Sequence, residues 1–152
     1  MKKILKIAVV LSFLSALVAC SKETIGTPEK MLEPNYMNIH GIWQATESEG
    51  VVYPEEIFPY WEFNRKDHSF TEYTCHHTMY PDADSGYFVI RQELEAFIIS
   101  GDYDEKDKDW STEYEIIRLT ENEMVWKRMD NGKLLKMERR EALPEEYEAL
   151  KK

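Results

Sequence analysis

Aromatic and β-branched residues occur along the chain in short runs, separated by stretches rich in Gly, Pro, Asp and Asn. The alternation is clear in 60–64, where Trp61 and Phe63 fall on one face of an extended chain and Glu62 falls on the other. Runs of this length and pattern predict β-strands. The predicted strands are residues 41–46, 60–64, 69–76, 87–92, 94–100, 110–119, 123–129 and 133–141.

The connections between these runs carry turn signals. Asn131-Gly132 predicts a two-residue type I′ turn, because both residues tolerate positive φ angles. A tight turn is expected near Gln92-Glu93, and the acidic stretches 80–86 and 101–109 are expected to be loops. The last residues, 142–152, place Pro144 in a first helical turn and so predict a short C-terminal helix.

Short strands with hairpin-length connections, and no helices alternating with them, predict an all-β antiparallel meander. Eight strands predict a closed barrel, whose interior is either filled by side chains or wide enough for one small ligand. Large side chains expected inside are the candidates for a ligand cavity: Trp61, Phe63, Phe88, Ile90, Phe97, Tyr114, Ile116, Met124 and Trp126. The pattern leaves open whether they form a solid core or line an open cavity.

The N-terminal segment differs from the rest of the chain, because three lysines precede a short apolar run. This is the pattern of a secretory signal peptide, since a transmembrane anchor needs about 20 apolar residues. The run ends in Leu-Val-Ala-Cys, which resembles the bacterial lipobox and implies cleavage before Cys20 and a lipid on its sulfur. We predict a signal peptide over 1–19, a lipidated N-terminus with a flexible tether over 20–38, and a domain over 39–152. The tether, as a flexible coil, has a reach of about 24 Å.

The acidic composition narrows the choice of partners. The chain has 29 Asp and Glu against 19 Lys and Arg, and its formal charge of −10 becomes −13 when the signal segment with its three lysines is removed. This charge argues against a nucleic-acid partner and would steer a cationic one toward the protein. The two cysteines form no intramolecular disulfide if Cys20 carries lipid, because Cys75 then has no partner.

Cys75, His76 and His77 combine residue types that serve as nucleophiles and metal ligands. Neighbouring side chains of a strand point to opposite faces, so we expect the sheet to separate Cys75 from His76. Counted from Asp102, the acidic stretch has Asp107 at the sixth position, where a calcium-binding EF-hand needs glycine, and its flanks are predicted strands and not helices. The chain contains no G-x-S-x-G, P-loop, Rossmann or H-E-x-x-H motif. We therefore expect no catalytic residue, no metal site and no cofactor, and we expect that the protein is not an enzyme.

The first predicted strand opens with Gly41-Ile42-Trp43, which resembles the G-x-W motif that opens lipocalins. In that family the Trp plugs one end of the barrel and an Arg from the last strand packs across it. The resemblance implies these barrel-end roles for Gly41 and Trp43, and for Arg139 or Arg140. A second pattern, which recurs near the penultimate strands of small lipocalin-like lipoproteins of Bacteroides-type bacteria, is matched by Tyr114, Ile116, Leu119, Thr120 and Met124.

The resemblance implies a noncatalytic, membrane-anchored domain that holds a small apolar or amphipathic ligand in its barrel, and this hypothesis predicts an open cavity. The alternative is an acidic protein-binding module, such as an inhibitor of a basic, lysozyme-like enzyme, and it predicts a filled barrel. A scaffolding role in the envelope is a third hypothesis. Ser21 after Cys20 favours the bacterial outer membrane, with the periplasmic and the surface face both left open.

Overall fold

The computed structural model describes residues 28–52, 59–75, 80–105 and 109–151. The predicted signal peptide, Cys20 and the first part of the predicted tether lie outside the described residues, as do His76 and His77. The elements are α1 (Tyr36–Ile39), β1 (Gly41–Ser48), β2 (Val51–Val52), β3 (Tyr60–Phe63), β4 (Ser69–Thr74), β5 (Asp82–Glu93), β6 (Ala96–Tyr103), β7 (Tyr114–Leu119), β8 (Glu123–Arg128), β9 (Leu134–Arg140) and α2 (Glu145–Glu148).

The strands form one antiparallel sheet that closes on itself. From β3 to β9, each strand pairs with the next one along the chain. Strand β1 pairs with both β3 and β9, so that Trp43 lies opposite Trp61 on one side and Arg139 on the other. The two-residue strand β2 pairs with the end of β1, and the barrel itself has eight strands. The predicted all-β, eight-stranded antiparallel barrel is therefore confirmed.

Strand β5 begins earlier than the sequence predicted. Residues 82–86 were expected to be a loop, but they pair with β4 from Asp82 opposite Thr74 to Gly86 opposite Phe70. Gly86 permits this because its Cα lies directly against the carbonyl group of Asp102 on β6, where any Cβ would clash. Backbone pairing on both sides therefore outweighs the turn propensity of this polar sequence.

Strand β7 begins later than predicted, at Tyr114 instead of residue 110. Trp110 instead belongs to the connection after β6, where its backbone N–H donates to the Gly101 carbonyl at 3.0 Å. The indole ring lies over Gly101, whose missing side chain leaves the space for it. This aromatic residue was counted as part of a strand because hydrophobicity alone does not separate a strand residue from a loop residue that turns inward.

Both predicted tight turns differ in detail from those observed. The turn between β5 and β6 lies at Leu94 and Glu95, and Leu94 has a φ of +55° with its side chain 97% exposed. At the next hairpin signal Gly132 has a φ of +75°, whereas Asn131 is not among the residues with positive φ. Because a type I′ turn needs positive φ at both positions, this connection is a longer turn that ends in a left-handed glycine.

Residues 28–40, which we call the strap, lie against one end of the barrel. The Leu32 N–H donates to the Leu119 carbonyl at 2.8 Å, and Ile39 in α1 is fully buried. Most of the strap was predicted to belong to the flexible tether, and the structure differs there. The reason is that three apolar side chains of the strap, those of Leu32, Tyr36 and Ile39, all pack on the core.

The predicted short C-terminal helix is confirmed as α2, which packs on the outside of the barrel. Tyr147 of this helix is 4% exposed and contacts Tyr60 and Tyr73 with ring centroids 5.6 Å away in both cases. Within the described ranges, no helix is long and apolar enough to cross a membrane.

Candidate functional site

The alternating direction of the strands gives the barrel two distinct ends. The strap and the start of β1 lie at one end, which we call the closed end, together with the connections 64–68, 94–95 and 120–122. The opposite end, which we call the open end, carries the connections 49–59, 75–81, 104–113 and 129–133. The longer connections therefore lie at the open end.

At the closed end, Trp43 is fully buried and its indole N–H donates to the Ile39 carbonyl at 2.7 Å. The guanidinium carbon of Arg139 lies 4.1 Å from the centre of the Trp43 ring, a cation–π contact. Gly41 has a φ of +121°, and a Cβ atom there would lie 2.8 Å from Nη1 of Arg139. The structure thus brings together Gly41, Trp43 and Arg139, three of the four residues expected at a barrel end.

Arg139 also holds the strap against the barrel through hydrogen bonds. Its guanidinium group donates to three backbone carbonyls, those of Asn38 at 2.7 Å, His40 at 2.6 Å and Glu121 at 2.6 Å. Burial lowers the pKa of Arg139. Arg140, the other arginine considered for this role, instead donates to the side chains of Gln44 and Glu138. The side-chain groups at this end therefore bind one another and the backbone.

All nine cavity candidates lie in or against the barrel core. Six belong to the buried cluster, namely Trp61, Phe63, Phe88, Ile116, Met124 and Trp126, and three pack against it with partial exposure, namely Ile90, Phe97 and Tyr114. Their rings contact one another across the interior, with centroids 6.0 Å apart for Trp61 and Trp126 and 5.0 Å apart for Phe63 and Phe88. At these positions the interior is occupied by the candidates' own side chains.

Trp110, which was not among the candidates, closes this aromatic cluster toward the open end. Its ring centroid lies 5.1 Å from Phe70, 5.2 Å from Trp61 and 5.4 Å from Trp126. Phe70 lies in the predicted strand 69–76, so its alternation with neighbouring polar residues could have identified it. No local signal identifies Trp110, because its inward direction depends on the contact with Gly101.

Two indole groups in this cluster lack hydrogen bonds. Nε1 of Trp110 and Nε1 of Trp126 are both buried without an acceptor among the described residues. An unsatisfied buried donor costs about 1–3 kcal/mol, so native proteins generally avoid it. These two N–H groups are the donors that an acceptor on a bound molecule could satisfy.

Polar side chains also face inward near the open end. The Tyr103 hydroxyl donates to the Glu72 carboxylate, and burial together with the charges of Glu72 and Asp84 raises the pKa of Tyr103. Burial also raises the pKa of Tyr114, whose ring carries the Arg128 guanidinium at 6.0 Å. The open end therefore combines aromatic faces with carboxylates and hydroxyl groups, an amphipathic lining.

A concave region of about 490 Å³ lies on the outer face of β3 and β4. Its lining is mostly polar and includes Glu62, Thr71, Tyr73 and Lys151. The Lys151 ammonium lies 2.9 Å from the Glu62 carboxylate, so an ion pair already satisfies these charges. This region shares only Phe63 with the cavity candidates.

The cysteine cluster gives no site in the part of the chain that the structure covers. The Cys75 sulfur lies 3.4 Å from the Tyr147 hydroxyl at the edge of the α2 contact. Its neighbours His76 and His77 lie outside the described residues. Among those residues, no group of three or more His, Cys, Asp or Glu side chains could hold a metal ion.

Comparisons with known proteins agree with this architecture. A family model described as a lipocalin-like domain matches residues 39–126. The chain is also similar to a protein from Bacteroides uniformis whose structure was determined by NMR, with a TM-score of 0.54 and 21% sequence identity over 77% of this chain and 100% of that one. At 21% identity the similarity shows the fold alone. No curated protein matches the chain.

Proposed function

This chain belongs to the lipocalin-like domain family, and we propose on that basis that it is a noncatalytic domain that binds a small apolar or amphipathic ligand at the open end of its barrel. The proposal includes a lipid anchor at Cys20 in the bacterial outer membrane, for which the lipobox-like sequence is the support. The closed end is filled by Trp43, Arg139 and the strap, which leaves the open end for entry.

The observation that carries the proposal is that the buried indole N–H groups of Trp110 and Trp126 have no acceptor among the described residues. The Trp110 ring occupies the position in which a ligand would contact Trp61, Phe70 and Trp126. A ligand with an apolar body and a hydrogen-bond acceptor would displace this ring and satisfy Trp126. Buried donors without acceptors already destabilise the unliganded protein, so the free energy needed to displace Trp110 is smaller.

The surroundings of this position favour a neutral or cationic ligand. Glu72 and Asp84 lie inside the barrel near Tyr103, and carboxylates there oppose the burial of an anion. Exposed apolar side chains at the same end, Tyr80 and Met129, offer an apolar approach for the body of the ligand.

The direct test is a fluorescence titration with 6-propionyl-2-dimethylaminonaphthalene, a neutral aromatic ketone whose carbonyl group is a hydrogen-bond acceptor, on the chain from residue 20 with Cys20→Ala. The unsubstituted barrel should bind the probe, and Trp110→Ala should raise the affinity by about tenfold, because about 1.4 kcal/mol of competing ring packing is removed. Leu94→Ala, an exposed closed-end change, serves as the control and should leave binding unchanged. The proposal fails if neither the parent nor a folded Trp110→Ala variant binds the probe.

A second candidate function, binding of a cationic protein, is favoured by the packed interior, because a filled barrel needs no cavity to present its loops. The open-end connections contain nine acidic residues against three lysines, whereas the closed-end connections and the strap contain five against three bases. The negative electrostatic potential of the open-end connections accelerates the encounter with a cationic partner, and it weakens as salt screens the charges.

Lysozyme, a small basic enzyme, is a suitable probe for this second function. Its association with the full acidic domain should fall as salt rises, and the double substitution Asp104→Asn and Asp109→Asn at the open end should weaken it. The matched pair Glu33→Gln and Glu95→Gln removes the same charge from the closed end and should have less effect. Equal effects of the two pairs of substitutions would indicate nonspecific attraction to the net charge and would refute this second function.

A further inference from the structure

The strap leaves few residues between the predicted lipid anchor and the barrel. The Glu29 carboxylate accepts hydrogen bonds from the Thr120 hydroxyl and the Asn122 side-chain amide, at 2.5 Å each. These residues form the turn between β7 and β8 at the closed end. The chain is therefore fixed to the barrel from Glu29 onward, well before the end of the predicted tether.

Contacts along the rest of the strap hold it across the closed end. Tyr36 stacks on His68 with ring centroids 3.7 Å apart, and its hydroxyl accepts a hydrogen bond from the Ile90 backbone at 3.2 Å. Arg139 binds two of the last strap carbonyls. The strap thus contacts strands on opposite sides of the barrel and cannot swing away without breaking all of these contacts.

The number of residues between Cys20 and Glu29 then limits how the barrel can sit on a membrane. If the predicted tether is a flexible coil, this part of it has an r.m.s. reach of about 17 Å and a fully extended length of about 30 Å. Most barrel strands have six to eight residues, and at the usual tilt of barrel strands this corresponds to a barrel about 20 Å tall. Contact between the open end and the anchoring membrane would need a chain stretched beyond its r.m.s. reach and turned back along the side of the barrel.

The distribution of charge on the barrel also favours an orientation with the closed end toward the membrane. The excess of acidic over basic residues is larger in the open-end connections than in the closed-end connections and the strap. A surface of phosphate-bearing lipids repels the more acidic end more strongly. Lys30, Arg65 and Lys66 lie at the closed end and are exposed, so they can reach lipid phosphates.

We propose that the strap is an orientation device: it holds the closed end of the barrel toward the membrane in which Cys20 is anchored, and it directs the open end away from that membrane. This inference rests on the lipid anchor of the proposed function. Its consequence is that ligands reach the barrel from the aqueous space or an opposing surface, and not by transfer out of the anchoring leaflet.

The test measures the distance from each end of the barrel to the bilayer. The full lipidated chain, with Cys75→Ser as background, is reconstituted in vesicles whose headgroups carry an energy-transfer acceptor. A donor dye is placed on Leu94→Cys at the closed end or on Val52→Cys, its exposed counterpart at the open end. Transfer from position 94 should exceed transfer from position 52 by about twofold or more, because the two ends are about 20 Å apart.

Two further samples distinguish a failure of the lipid anchor from a failure of the proposed orientation. Insertion of a 20-residue Gly/Ser segment after Gly26 should reduce the difference between positions 94 and 52, because the longer chain removes the constraint. Flotation with vesicles should be lost in Cys20→Ala. If the unsubstituted chain does not float, both the anchor and the orientation are refuted; if it floats but transfer is equal at both positions or stronger at 52, the orientation alone is refuted.

Discussion

The two ends of the barrel use tryptophan in opposite ways. At the closed end the Trp43 N–H has an acceptor in Ile39, and its ring face has a cation in Arg139. Toward the open end, Trp110 and Trp126 are packed among other rings, but their N–H groups have no acceptor among the described residues. Both ends bury large aromatic side chains, but among the described residues the Trp43 N–H has an acceptor, whereas those of Trp110 and Trp126 have none.

This difference separates a structural end from a binding end. Where every polar atom has a partner, a bound molecule would have to break existing hydrogen bonds. Where donors are buried without partners, a ligand can form bonds that the protein does not make by itself. The packed interior therefore does not exclude ligand binding, but it requires the ligand to replace a side chain of the protein.

The largest expected effect is on stability at the closed end. Trp43→Ala should lower the free energy of unfolding by about 3–5 kcal/mol, because it removes a fully buried indole and leaves a cavity. Trp110→Ala should cost less, since Trp110 is partly exposed and its N–H has no partner to lose. Urea denaturation measures both, and an equal or larger loss for Trp110→Ala would contradict the division between the two ends.

The two arginines of β9 should differ in their effect on stability. Arg139→Ala removes three charge-assisted hydrogen bonds and the contact with Trp43, so we expect a loss of about 2–3 kcal/mol. Arg140→Ala removes a contact to Gln44 and an exposed ion pair with Glu138, for which we expect about 1 kcal/mol. Thermal unfolding of the two variants under identical conditions makes the comparison, and the reverse order would refute the role of Arg139.

Removal of the N–H group alone sharpens the comparison of the tryptophans. Trp43→Phe leaves the Ile39 carbonyl without its donor and should cost about 1–3 kcal/mol. Trp110→Phe keeps an aromatic ring, loses no hydrogen bond, and should cost about 1 kcal/mol less than Trp43→Phe. Denaturant titrations of the two variants give the difference directly. Equal costs would mean that the Trp110 N–H has a partner in solution.

The smallest expected effect is a pH dependence of the strap. Hydrogen bonds from Thr120 and Asn122 lower the pKa of Glu29. Its contribution to stability is therefore present above the ordinary Glu pKa of about 4.3 and is lost as the pH falls through the lowered value. NMR resonances of the Leu32 amide and the Asn122 side-chain amide should shift in that acidic range. In Glu29→Gln, a matched uncharged variant, the shift should disappear; its persistence would assign the transition to another group.

The barrel and its closed end could be read from the sequence, because their signals are local. Alternation marked Trp61 and Phe63 as inward-facing, and Gly41 and Trp43 stand at the start of their strand as in the family that they resemble. The early start of β5 could not be predicted, because the pairing of Asp82 with Thr74 is a contact between strands. Nor could the inward turn of Trp110, which depends on space left by Gly101.

The docking of the strap has a signal in the sequence, but this signal is easily missed. Leu32, Tyr36 and Ile39 have helical spacing, but two prolines and several charges in the same segment are typical of a linker. The helix observed there has only one turn. Docking on the barrel, and not helix propensity, therefore decides its conformation.

Ligand entry at the open end by displacement of Trp110 can be tested by an NMR titration of the four indole N–H resonances. The titrant is 6-propionyl-2-dimethylaminonaphthalene, and single Trp→Phe variants give the assignments. We expect the signals of Trp110 and Trp126 to shift as the probe binds, while the signal of Trp43 stays in place. A shift of Trp43 without Trp110, or no shift of any indole at saturating probe, would contradict this mode of entry.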